Sequence, residues 1–75
     1  MTSFMVHEIA KQISTLYSFT EPINSKGLLF LGETSLKPED NEKDIRMKWT
    51  YYDGKKLYKF TVIYKYDETI IIEKN

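Results

Sequence analysis

Seventy-five residues (8.9 kDa) leave room for one domain and no second core. The absence of cysteine excludes a disulfide framework and a thiolate zinc site, and 41% apolar with 15% aromatic residues excludes a disordered chain. Eleven basic and eleven acidic residues cancel to a net charge of zero. A chain this short is marginal alone, so its core calls for completion by a partner or a second copy.

The opening residues, Met1-Thr2-Ser3-Phe4-Met5-Val6-His7-Glu8, have neither the basic start nor the apolar stretch of a secretory signal. No segment approaches the ~18 apolar residues of a membrane span; Ile70-Ile71-Ile72 is far too short. A cytoplasmic location and no membrane partner are expected. Lysine supplies ten of the eleven basic residues, and eight isoleucines stand against one alanine. That bias has the style of AT-rich coding, as in a low-GC bacterium or its phage.

In chain order, residues 4–19 read as the only helix. Met5, Ile9, Ile13 and Leu16 form an apolar stripe, with Val6, Ala10 and Tyr17 beside it and Glu8, Lys11, Gln12 and Thr15 opposite. Thr2 or Ser3 can cap its start, and Pro22 requires it to end by about Phe19. Residues 26–34 (Lys-Gly-Leu-Leu-Phe-Leu-Gly-Glu-Thr) read as a strand, and 37–43, polar and containing Pro38, as a solvated loop. Two alternating runs follow, 44–52 and 55–66, joined by Asp53-Gly54, a two-residue hairpin signature. That turn pairs Trp49 with Tyr58, Met47 with Phe60 and Ile45 with Val62, and sets Lys48 opposite Lys59. A last strand, 69–74, is expected to pair Tyr64 with Ile70 and Val62 with Ile72 across a three-residue turn without glycine. The predicted fold is α+β: one N-terminal amphipathic helix packed on a four-stranded antiparallel meander.

Little in the chain points to catalysis. His7 is the single histidine, and it lacks a nearby nucleophile and orienting acid. Glu39, Asp40, Glu42 and Asp44 do not have the spacing of a calcium loop, and Gly27 and Gly32 belong to no phosphate-binding pattern. No enzymatic activity, metal or cofactor is expected. The charge distribution is more informative. Residues 45–65 carry six cations against Asp53 alone, whereas 26–44 carry three cations against five acids. Strand alternation puts Arg46, Lys48, Lys59 and Lys65 on the face away from the helix, together with Leu57, Ile63 and Ile71. Six of these residues, Arg46, Lys48, Leu57, Lys59, Ile63 and Lys65, are the predicted partner-binding set. The expected function is that of a small non-enzymatic protein-binding module, in the manner of a phage- or mobile-element-encoded inhibitor that occupies a surface of a larger host protein. A homodimer is a second expected association. The alternative is a nucleic-acid-binding domain using the basic face, although Tyr52 is the one aromatic of these strands placed there for base stacking.

Overall fold

A computed structural model describes residues 3–75. Helix α1 (Ser3–Leu16) is followed by a 3₁₀ turn (Ser25–Gly27) and four strands: β1 (Leu28–Thr34), β2 (Ile45–Tyr52), β3 (Leu57–Tyr64) and β4 (Ile70–Lys74). The strands form an open antiparallel sheet in the order β1-β2-β3-β4, with α1 on one face, which is the predicted α+β meander. The apolar stripe of α1 explains its seat. Ile9 and Ile13 are fully buried against Met47, Trp49, Tyr51, Phe60, Val62 and Ile70. Gln12 does not join the solvent face expected for it: its Nε2 donates to the Ile70 carbonyl and to Glu8 Oε2, both at 2.8 Å, which ties α1 to β4. The expected N-cap concerns Thr2 and the Ser3 side chain, which lie outside the described residues.

The helix stops at Leu16, three residues before the predicted limit, and proline is not the cause. Ser18 adopts the left-handed conformation (φ 56°). Its N–H donates to Thr15 O at 3.2 Å, and the Phe19 N–H donates to Ser14 O at 3.0 Å. These two bonds are a Schellman cap with serine at the position where glycine is usual. The reversal returns Tyr17 and Phe19 to the sheet. There they meet Tyr51 and Tyr58 in an aromatic cluster with ring centroids 4.9–6.3 Å apart. Beside it, Tyr51 Oη accepts a hydrogen bond from the Asn24 N–H at 3.1 Å. Gly27 is required here, because a Cβ would strike the Tyr52 carbonyl.

The β2–β3 register differs from the expected one by two residues. Ile45 pairs with Tyr64, Met47 with Val62, Trp49 with Phe60 and Tyr51 with Tyr58. The loop has four residues, not two. Asp53 Oδ1 accepts the N–H groups of Lys55 (2.8 Å) and Lys56 (2.7 Å), the Asp53 N–H donates to Lys56 O (3.2 Å), and Gly54 takes φ 99°. These bonds close the wider loop, and the shift brings the large aromatics opposite one another. A two-residue shift preserves side-chain parity, so Met47, Trp49 and Phe60 still face the helix. Ile45, moved past Val62, is left 40% exposed and outside the core. Lys48 now opposes Thr61, and Lys59 opposes Thr50, so the expected lysine–lysine opposition does not occur.

The β3–β4 register is the predicted one: Tyr64 with Ile70 and Val62 with Ile72. Its turn dispenses with glycine by placing Glu68 at φ 73°, while the Asp67 carboxylate accepts from the N–H (3.0 Å) and hydroxyl (2.6 Å) of Thr69. Among the described residues strand β1 pairs only with β2, and it carries a bulge at Leu31, between Phe30 and Gly32.

Candidate protein-interaction face

The face of the sheet away from α1 is built from alternate residues of the strands, and the 35–44 segment decides what remains open on it. That segment is the exposed polar loop expected from its composition at residues 37–39 and 41–43, but Asp40 and Asp44 depart from the expected solvated acidic run. It forms two consecutive turns of one design, Lys37–Asp40 and Asn41–Asp44. In each, the aspartate N–H donates to the carbonyl of the first residue at 2.9 Å, and the aspartate carboxylate accepts the first residue's N–H at 2.7 or 2.9 Å. The turns aim Asp40 and Asp44 inward, while Glu39 and Glu42 stay exposed.

Asp40 grips Arg46 in a bidentate pair through Nε and Nη2, and Arg46 Nη1 donates to Glu73 Oε1 at 3.1 Å. Arg46 is buried (5% exposed) between the two carboxylates. The Arg46 hydrogen bonds, backed by the Lys37 N–H, hold the Asp40 carboxyl down to about 2. The same bonds raise the guanidinium further above its ordinary value. Asp44 plays the matching part at the start of β2. Its Oδ2 accepts from Lys65 Nζ at 2.7 Å and its Oδ1 from the Tyr66 N–H at 2.8 Å. The Lys65 ammonium lowers the Asp44 pKa, and Asp44 in turn raises that of Lys65.

The six residues singled out from the sequence therefore fall into two groups. Arg46 and Lys65 are tied into intramolecular ion pairs, and Ile63 is buried (3% exposed) between its cross-strand partners Arg46 and Ile71. Lys48, Lys59 and Leu57 remain exposed towards the β2–β3 loop. Lys48 Nζ donates to Thr61 Oγ1 at 3.3 Å, and neither lysine has an ion partner among the described residues. Around them on the same face stand Tyr52, opposite Leu57, and Leu29, opposite Thr50. Tyr52, Leu57 and Leu29 are 52%, 50% and 58% exposed. Neither Tyr52 nor Leu29 is in the partner-binding set that the sequence suggests. Alternation marks Tyr52 only as a surface for base stacking, and placing Leu29 needs the β1–β2 register, which no turn signal supplies.

Among the described residues no group of three His, Cys, Asp or Glu comes together as a metal site, and His7 is exposed on α1. A surface cleft of about 410 Å³ between residues 19–24 and the β2–β3 loop contains Asp53, whose carboxylate is already engaged by two backbone N–H groups. No helix among the described residues is long and apolar enough to cross a membrane. The architecture is that of a small α+β domain with one sheet face half closed by its own loop. Compared with known proteins, the chain matches no family model, no curated protein and no solved structure.

Proposed function

We propose that the chain is a small non-enzymatic protein-binding module that acts by occupying a surface of a larger protein, as a phage- or mobile-element-encoded inhibitor in the host cytoplasm would. One observation carries this reading. Of the four cations on the outer face, two are engaged in internal ion pairs, and the two left over sit beside exposed Leu57, Tyr52 and Leu29. Apolar side chains framed by lysines suit an acidic-rimmed protein partner, whose charges would speed and orient docking while the apolar centre supplies affinity. The nucleic-acid reading is weaker on the same ground, because this face offers one tyrosine for stacking and two unpaired lysines for phosphate. The test is capture from native lysate on the tagged protein, with and without nuclease. The reading expects capture that survives nuclease and falls at least tenfold in the variant Lys48→Glu with Lys59→Glu. Capture lost on nuclease treatment would favour nucleic acid, and capture indifferent to the reversal would remove the outer face from the function.

A further inference from the structure

A second surface lies at right angles to that face. Among the described residues strand β1 is an edge of the sheet, with β2 on one side and no strand on the other. Its middle residues, Leu29, Phe30 and Leu31, are 58%, 39% and 57% exposed. Edge strands are ordinarily guarded by proline, by lysine within the strand or by a covering loop. Leu28–Thr34 has neither proline nor lysine; the bulge at Leu31 is its one guard, yet three consecutive exposed apolar residues are what a solvated edge avoids. The core beneath is also unfinished on this side. Phe30 packs its ring against Trp49 (centroids 5.6 Å apart), yet both Phe30 and Ile45 lie outside the buried core, and α1 seats itself towards β4.

We propose that this edge is covered by a second copy of the chain, the two β1 strands pairing antiparallel about a two-fold axis near Phe30 to make a continuous eight-stranded sheet. What selects a second copy over another protein is the self-complementarity of the strand. Lys26 precedes its N-terminal end and Glu33 stands near its C-terminal end, both exposed and both without an ion partner among the described residues. Antiparallel pairing of β1 with itself lays each copy's Lys26 at the end where the other copy's Glu33 lies. Leucine and phenylalanine then meet leucine and phenylalanine in the middle. An isologous contact needs this kind of match. With a net charge of zero, no overall repulsion opposes it. Leu29 borders both surfaces, but Lys48, Lys59, Tyr52 and Leu57 stay available in such a dimer, so this inference does not depend on the proposed function.

The experiment measures the solution mass of the intact chain by light scattering and sedimentation between 1 and ~100 μM. The expected mass is twice the 8.9 kDa of one chain. Leu29→Lys with Leu31→Lys, charges of the kind that natural edges carry, should halve the mass while leaving the circular dichroism unchanged. Should that variant unfold, single cysteines replace it, since the chain has none of its own. Phe30→Cys, which the axis sets opposite its own copy, should then cross-link two chains on mild oxidation, and Thr15→Cys on the exposed face of α1 should not. A wild-type mass of one chain at ~100 μM overturns the proposal. So does a dimer that survives the lysine pair, equal cross-linking of both cysteines, or open-ended polymers in place of a closed pair. Lys48→Glu with Lys59→Glu should remain dimeric, so failure of the outer-face reading would show in lysate capture alone.

Discussion

The two ends of the β2–β3 hairpin are finished very differently. At the β2 start and β3 end, the charges are paired, Asp40 with Arg46, Arg46 with Glu73 and Asp44 with Lys65, and Asp44 also accepts the Tyr66 and Asn41 backbone N–H groups. At the β2–β3 loop and along neighbouring β1, apolar side chains and unpaired lysines face outward. The contrast is chemical as well as geometric. Aspartate has a short side chain that can close its own turn and reach a cation, so the 35–44 segment satisfies the sheet beside it. Among the described residues nothing comparable covers β1, which is preceded by a 3₁₀ turn and left as an edge. The chain closes one end with its own loop, and the open end is the one proposed to meet a partner or a second copy.

The largest effect expected from breaking this comparison is at the centre of the sheet. Trp49→Ala should cost about 3–5 kcal/mol, because it empties the middle of the helix–sheet core. Stability of a small domain is of that order, so the variant should be largely unfolded by circular dichroism. Trp49→Phe should lose much less. The indole Nε1 is buried with no hydrogen-bond partner among the described residues, and the benzyl ring removes that unpaired donor along with the volume. Leu31→Ala, at the other extreme, should change stability by no more than ~0.5 kcal/mol in the single chain. Equal losses at Trp49 and Leu31 would erase the distinction between a finished centre and an open edge.

Next is acid. Asp40 is held down to about 2 from an ordinary 3.8, and Asp44 is lowered as well. A carboxylate whose folded pKa is depressed stabilises the fold above its unfolded pKa and loses that contribution as pH falls through the folded value. Melting temperature should therefore hold down to about pH 4 and then decline towards pH 2. Asp40→Asn should be less stable at pH 7, because it leaves Arg46 without its bidentate acceptor, and its profile should be flatter between pH 4 and 2. Thermal melts across that range provide the measurement. Parallel profiles for the parent and Asp40→Asn would mean that the pair contributes nothing to folding.

Strand alternation and apolar periodicity make the helix, the four strands, their order and the inward residues Met47, Trp49 and Phe60 legible in the sequence. Both are local signals that survive a shift of two residues. The β2–β3 register is not legible, because Asp53-Gly54 serves equally for a two-residue turn and for a four-residue loop closed by the Asp53 carboxylate. The paired turns ending in Asp40 and Asp44 leave a readable trace, an aspartate every fourth residue. However, composition alone cannot say that those carboxylates turn inward to Arg46 and Lys65. In the sequence, Arg46 and Lys65 thus look as available as Lys48 and Lys59. The helix end is hidden for a related reason, since Ser18 takes the conformation usually signalled by glycine.

That substitution for glycine has a measurable consequence. Ser18 and Glu68 both sit in the left-handed region, at φ 56° and 73°. A side chain there costs roughly 1 kcal/mol or somewhat more. Ser18→Gly and Glu68→Gly should each raise stability by about 1 kcal/mol, less the greater chain entropy that glycine brings to the unfolded state. The two sites lie in separate turns, so the gains should add in the double variant. Denaturant midpoints decide this, and a loss at either site would mean that the side chain makes a contact worth more than its strain.

The smallest effect is the most informative about the outer face. Lys48→Glu with Lys59→Glu should shift stability by no more than ~0.5 kcal/mol, because both side chains are exposed and neither has an ion partner among the described residues. Arg46→Glu with Lys65→Glu reverses the same number of charges on the same face, yet it should be strongly destabilising. Each new carboxylate would stand against one already buried, at Asp40 or at Asp44, in place of the cation that neutralises it. Comparing the two double reversals at pH 7 therefore separates cations that hold the fold from cations free to meet a partner. If both pairs prove neutral, the inward-turned aspartates do not organise this face. If both prove destabilising, Lys48 and Lys59 belong to the fold, and no basic surface is left over for binding.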